Sequence, residues 1–361
     1  MDAFIPMLKN TLLFVALAIP GYLLVKIKLL KQQDSAVLSN LLTYIGLPFM
    51  IFSGTIGVSF NADTLTNIWI SAVFAIVVTV SFFFLTNLFY CKIKAKDGED
   101  VLTLERRKGM LRFCTLLSNN GFLGLPLAAA VFGNNVFTCM VIFNIITNMC
   151  IYTLGVYLSS CDRKLISGKK IVFNPVLIAF VLGVICNLLG VKNLVPEVVG
   201  FSDHFKNLVT PIAMLVLGMK MGNIKFSVLF KYAQLYTVSL YKLIVMPVVA
   251  TAVAFCFYKL GYVGLDIVNA VFIAFAMPTA GLAPVFADKF KSDIDCATIC
   301  TLGTTIFSII TIPLLYLLIC SICLSVNCPP VLVKIAFAID CKLSVEFDTA
   351  KLKLSSKSVT Q

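Results

Sequence analysis

Apolar residues run along this chain in blocks too long and too continuous for the face-by-face alternation of a soluble fold. Ten such blocks stand out, at roughly 5–27, 36–57, 67–90, 110–133, 136–159, 172–191, 208–222, 233–258, 266–288 and 297–323. Most approach the ~20 residues that a helix needs to cross a bilayer core about 30 Å thick; the seventh is short. They predict an all-α membrane protein with ten transmembrane helices, spans 1 to 10. The stretch "LSNNGFLGLPLAAAVFG" at 117–133 interrupts span 4, with Asn119 and Asn120 ahead of three glycines and Pro126. Span 9, "NAVFIAFAMPTAGLAPVFADKF" at 269–290, is interrupted by Pro278 and Pro284 with Gly281 between them. A proline removes one backbone donor and frees a carbonyl upstream, and lipid offers no replacement partner. Spans 4 and 9 are therefore expected to unwind at mid-membrane and cross at their breaks. Their half-helix ends would then face a small ligand.

Composition agrees with a polytopic membrane protein. Hydrophobic residues make up 60% of the 361, charged residues only 13%, and the mean hydropathy is +0.99, where soluble domains carry about 25% charge. The net charge of +12 would suit nucleic acid if it were clustered on a soluble surface, but its distribution excludes that partner. Lys26, Lys28 and Lys31 follow span 1; Lys92, Lys94, Lys96, Arg106, Arg107, Lys108 and Arg112 follow span 3. Arg163, Lys164, Lys169 and Lys170 follow span 5, Lys220, Lys225 and Lys231 follow span 7, and Lys289 and Lys291 follow span 9. The connections after spans 2 and 4 hold no Lys or Arg, and those after spans 6 and 8 hold only Lys192, Lys206 and Lys259. The positive-inside rule then puts the odd-numbered connections in the cytoplasm and both termini outside a plasma or inner membrane. The first apolar run lacks a basic leader and a cleavage pattern, so it reads as a span and not as a signal peptide. Thirteen cysteines fall mostly within spans; there is one histidine, His204, and one CxxC, at Cys320 and Cys323, with no matching second pair. No metal or other cofactor is expected from that set.

The chain repeats itself weakly. "IFNIITN" at 142–148 returns as "IFSIITI" at 306–312, an offset of 164 (306 − 142); "NLLTYIGLPFMIFSG" at 40–54 resembles "NLVTPIAMLVLGMKMG" at 207–222, an offset of 167 (207 − 40). Five spans per copy is an odd number, so the second copy inserts upside down. Inverted repeats of this kind mark secondary transporters, whose substrates bind near the midplane on interrupted helices. Residues 1–165 and 166–325 are the expected halves, and 326–361 form a tail whose apolar run "VLVKIAFAI" is too short to cross.

Candidate chemistry concentrates at the two breaks. Asn119 and Asn120 either bind substrate or satisfy the backbone of the kink. Asn144 and Asn148, four apart on span 5, share one face with Thr147 beside them, while Thr304, Thr305, Ser308 and Thr311 occupy span 10. These polar residues suit either a ligand or ordinary interhelical bonding. Lys242 is the one Lys, Arg, Asp or Glu well inside a span. It lies about 12 Å from the cytoplasmic start of its helix at 1.5 Å per residue, so it either serves the site or snorkels outwards. All seventeen acidic residues are assigned to tails, connections or span ends. With no buried carboxylate for sodium or a proton, the centre suits an anion.

"SNNGFLGLPLAAAVFG", "AMPTAGLAPVFADKF" and "FNPVLIAFVLGVICNLLGV" at 173–191, in that order of spans, resemble the auxin efflux carrier family over roughly residues 5–323. That family includes plant PIN-type auxin exporters and prokaryotic carriers associated with organic acids such as malate or malonate. The resemblance implies spans 4 and 9 crossing at prolines, and an elevator in which spans 3–5 and 8–10 move against a scaffold of spans 1, 2, 6 and 7, usually as a homodimer. By position it makes Asn119, seven residues before Pro126, the substrate-contacting asparagine, and it matches Pro278 and Pro284 to the family's prolines. Thr279 follows Pro278 at the same crossing. A basic residue five before a proline matches Lys242. The chain has Ser118-Asn119 where the PIN pattern has Pro-Asn, Pro278-Thr279 where it has Pro-Gln, and no long cytoplasmic loop, so a prokaryotic-type member is the nearer match. The expected function is export of small organic anions without sodium or proton coupling. A cation-coupled antiporter of similar fold and a non-transporting receptor or sensor are the alternatives.

Overall fold

Helix starts in this chain are set by residues that satisfy the first free backbone donors. The Asn61 side chain accepts from the backbone N–H of Thr64 at 2.8 Å, and that of Asn174 from Val176 at 2.9 Å, with Pro175 next in line. Such caps contribute about 1 kcal/mol each, and proline fits the first helical position because its missing N–H has no partner to lose there. The computed structural model describes residues 4–58, 60–95, 98, 100–169, 173–222 and 226–325. Among them the principal helices are α1 (Phe4–Lys26), α2 (Gln32–Ile56), α3 (Ala62–Tyr90), α4 (Val101–Leu116), α5 (Asn120–Val131), α6 (Asn134–Ser160), α7 (Pro175–Leu188), α8 (Val191–Leu194), α9 (Pro196–Met221), α10 (Phe226–Lys231), α11 (Ala233–Lys259), α12 (Leu265–Ala276), α13 (Ala283–Lys289) and α14 (Ile294–Ser325). Six of them, α1, α2, α3, α6, α11 and α14, are long and apolar enough to cross a membrane; α5, α7 and α12 are apolar but shorter. No strand occurs among the described residues, only one antiparallel bridge between Ser118 and Thr279.

Two helices begin more than two turns before their hydropathy blocks. Span 4 starts at Val101 instead of 110, and span 7 at Pro196 instead of 208. Charged and polar residues follow within the first turns of both, Glu105 to Lys108 in one and Asp203, His204 and Lys206 in the other, so hydropathy reads these stretches as connection, while Asp100 and Pro196 supply helix-start chemistry. As a consequence Glu105 and Asp203 lie on helices, not in connections. Asp203 accepts a 2.5 Å hydrogen bond from the Ser53 hydroxyl on α2. The apolar run of the tail lies outside the described residues.

Three widened turns precede prolines. Leu42–Gly46, Asn120–Gly124 and Tyr241–Val245 are π-helical, and Pro48, Pro126 and Pro247 each stand two residues past the segment. The backbone N–H of Leu47, Leu125 and Met246 reaches five residues back, to Leu42, Asn120 and Tyr241. A proline ring clashes with the carbonyl four residues upstream, and one extra residue in the turn relieves that clash. A fourth π turn, Ile151–Gly155, has no such proline; its Gly155 lies against the Phe113 ring.

Helix packing divides the unit that ends at Leu315 into two groups. In the first, α1 packs on α9, α2 on α9, and α7 on α2. In the second, α12 packs on α11 and α6, and α3 packs on α4 and α6. Close approach in the first group depends on glycine: a Cβ on Gly218 would lie 1.9 Å from the Ala18 carbonyl oxygen, and one on Gly21 2.2 Å from that of Leu215. Small residues that let backbones touch are how helices associate where lipid competes for every apolar side chain. The unit beginning at Tyr316 contains, among the described residues, only the C-terminal end of α14.

Candidate functional site

Backbone groups freed at the two breaks find partners in each other. The Leu117 N–H closes α4 on the Phe113 carbonyl at 3.0 Å, and the Met277 N–H closes α12 on Ile273 at 3.2 Å. Between them, the Asn119 N–H donates to the Pro278 carbonyl and the Ala280 N–H to the Leu117 carbonyl, each at 2.8 Å. Thr279 is fully buried; its N–H donates to Thr304 Oγ1 at 3.2 Å and its hydroxyl to the Cys114 carbonyl at 2.7 Å. The Asn119 carbonyl accepts from Leu123 and Gly124 at 3.3 Å. These bonds meet the requirement that buried backbone groups be paired without using the Asn119 side chain.

That side chain lines a small cavity of about 70 Å³ with Asn120, Asn144, Asn148, Tyr44 and Tyr152. Asn120 is 2% exposed and its Nδ2 donates to Thr147 Oγ1 at 2.9 Å, but its Oδ1 is buried without a partner. Asn144 is 1% exposed; its carbonyl and Oδ1 accept from Asn148 Nδ2 at 2.9 and 3.1 Å, and its own Nδ2 has no partner. A buried polar atom left unpaired costs about 1–3 kcal/mol. Two such atoms beside one cavity point to a group from outside the chain, water or ligand. Another cavity of about 330 Å³ lies between α1, α5, α9 and α14, but its lining, Phe14, Leu127 and Met214 among it, is almost wholly apolar and holds no charge. Its volume is larger, yet it offers nothing that would recognise a polar solute.

Pro126 and Pro278 stand beside this cavity in different ways. Pro126, which is buried, stands in the first turn of the regular part of α5, and the half-buried Pro284 at the start of α13; both restart a helix instead of breaking one. Pro278 lies in the break itself and contributes its carbonyl. Neither proline lines the cavity, nor does Thr279.

Lys242 does not snorkel. It is wholly buried in the π turn of α11, and its ammonium donates to Ser118 Oγ at 2.5 Å. No carboxylate lies within ion-pair distance among the described residues. Its partner follows a helix end: α4 finishes at Leu116, two residues before Ser118, and a helix C-terminus carries partial negative charge, which favours a cation there. Ser118, where the auxin exporters have proline, is thus the contact that ties Lys242 to the crossing.

Sequence reasoning missed three contributors. The charge distribution puts Lys220 with the cytoplasmic lysines after span 7, yet its ammonium reaches the Gly281 carbonyl at 3.4 Å in the second break. Its only sequence signal is a lysine between two methionines before the helix ends, in "LGMKMG". Tyr44 and Tyr152 carry no signal at all, because tyrosines are common at any depth of a span.

The helices, the crossed breaks and the polar cavity at their junction define a polytopic membrane protein of the transporter class. The chain belongs to the family described as membrane transport protein (Mem_trans), whose model matches residues 6–165 and 160–316. This is the auxin-efflux-like family that the motifs resembled. A protein of Methanothermobacter thermautotrophicus named as an uncharacterized transporter is 27% identical over 320 residues, covering 85% of this chain and 96% of its own. One of Methanocaldococcus jannaschii, likewise named an uncharacterized transporter, is 26% identical over 314 residues, covering 84% and 96%. The protein is a transporter and not an enzyme.

Proposed function

We propose that this protein is a secondary carrier of small organic anions, with Asn119, Asn120, Asn144 and Asn148 at the substrate and Lys242 behind it. One observation carries the reading: the crossing presents amide groups and lysine ammonium groups, while no carboxylate lies within ion-pair distance of Lys242 among the described residues. A fixed ammonium just past the C-terminus of α4 supplies the positive charge that a diffusible coupling cation would otherwise bring. Pro126, Pro278 and Thr279 then shape the crossing without touching substrate.

The remaining features extend the proposal. Ten spans in two inverted halves are supported by the matching breaks, Leu117 and Met277 being 160 residues apart (277 − 117), close to the sequence offsets. An elevator is supported by the two packing groups, α1, α2, α7 and α9 against α3 to α6 and α11 to α12. A homodimer formed through the first group, and extracytoplasmic termini, complete the reading. The test is uptake of radiolabelled mono- and dicarboxylates by proteoliposomes. Uptake that saturates and is lost in Asn119→Ala supports the carrier; uptake of cations in exchange for protons, or of nothing in the panel, overturns it.

A further inference from the structure

We propose that the positive charge meeting the substrate is Lys220 of α9, in a cradle above Gly281. The inference rests on the reading that the crossing takes an organic anion. A Cβ built on Gly281 would lie 3.9 Å from Asn119 Nδ2 and 3.9 Å from Lys220 Nζ, with no atom nearer outside Gly281 and its two chain neighbours. Two hydrogen-bond donors therefore flank one open point in the second break, on the rim of the asparagine cavity, which Gly281 and Asn119 both line. A carboxylate accepting from both, at the ~2.8 Å typical of bonds between charged groups, fits that gap.

The lysine is free to take this role. Among the described residues its ammonium makes one hydrogen bond, to the Gly281 carbonyl at 3.4 Å, longer than a charge-assisted bond, and no carboxylate lies within ion-pair distance of it. An ammonium has three donors, so two remain for a ligand. Its backbone is held: Gln32 Nε2 donates to the Lys220 carbonyl at 2.9 Å. Neither lysine lines the cavity itself, but Lys220 stands over Gly281, which does, whereas Lys242 is wholly buried and bonded to Ser118. Lys220 also comes from the other packing group, so an anion held by both Asn119 and Lys220 bridges the two sets of helices. Loss of the anion frees that bridge.

The experiment measures equilibrium binding of labelled malonate, succinate and indole-3-acetate to the purified full-length protein, together with its unfolding temperature. Lys220→Met should weaken binding of whichever probe binds by about tenfold or more, as loss of a charge-assisted bond implies, and Lys220→Arg should retain most of it. Gly281→Ala should weaken binding by a similar factor with an unchanged unfolding temperature, because its methyl meets nothing closer than 3.9 Å yet fills the cradle. Binding by Lys220→Met and Gly281→Ala within twofold of the parent would overturn the Lys220 assignment and leave the organic-anion reading standing. Absence of binding of all three probes to the parent protein at millimolar concentration would overturn both.

Discussion

Asn119 and Asn120 are adjacent in sequence but face different surroundings, and their substitutions should separate accordingly. Asn119 makes its crossing bonds through the backbone, so Asn119→Ala should leave thermal stability nearly unchanged and weaken substrate binding by about tenfold or more. Asn120 is buried against Thr147, so Asn120→Ala should cost about 1 kcal/mol of stability, and Thr147→Val nearly as much. Thermal melts with parallel binding isotherms check both; normal affinity in folded Asn119→Ala would reduce that residue to a structural part. Lys242→Met removes a wholly buried charge and keeps a side chain of similar reach. Such replacements are often tolerated in folding, so the variant should be stable and impaired in flux. Lys242→Arg should also be impaired, because the broader guanidinium has to fit a site shaped around one ammonium. Full flux in Lys242→Met would show that its charge has no part in transport.

At the scale of elements, glycine contacts and proline-linked turns decide how helices meet. Gly218 and Gly21 let α1 and α9 approach to backbone contact, and no rotation of a valine avoids the Ala18 carbonyl, 1.9 Å from the added Cβ. Gly218→Val should therefore destabilise the α1–α9 pair by about 1–3 kcal/mol, the range for overpacking. Detergent unfolding curves would register it, and an unchanged midpoint would contradict the packing. The broken helices α4–α5 and α12–α13 are linked by reciprocal backbone bonds, so their geometry depends little on which side chains flank them. That independence explains how Ser118 and Thr279 occupy positions where the auxin exporters have Pro and Gln while the crossing is kept.

For the whole molecule, the predicted orientation and the energetics of transport are separable. Reporter fusions within 97–108 should read cytoplasmic and fusions at Asn134 external; the reverse would overturn the orientation drawn from the lysine and arginine distribution. Transport should require no sodium or proton gradient, because the crossing is built on amides and lysines. The membrane potential then remains, contributing about 2.3 kcal/mol per elementary charge per 100 mV. An interior-negative cell would expel a monovalent anion against a gradient of up to roughly fiftyfold, at about 1.4 kcal/mol per factor of ten. Flux in proteoliposomes under a potassium–valinomycin potential, with sodium absent and pH equal, tests this. A flux that ignores the potential and follows an imposed pH or sodium gradient would contradict it.

Hydropathy alone determined that this is a polytopic helical membrane protein, since continuous apolar blocks have no other stable solution in water or lipid. The proline and asparagine pattern of 117–133 and 277–284 also located both breaks, because a missing N–H is a local, covalent fact. Local signals failed where polar residues sit on helices. The N-terminal stretches of α4 and α9 look like connections because the charges of Glu105 to Lys108, and of Asp203 and Lys206, outweigh helix-start chemistry in a hydropathy average. Only tertiary structure decided whether Lys242 reaches water, since snorkelling and burial differ by the partner offered, and that partner, Ser118, is 124 residues away. Lys220 was illegible for the same reason: its neighbour in space, Gly281, is 61 residues distant and has no side chain to signal a site. A cavity is defined by what several helices leave empty between them, and no single helix encodes that space.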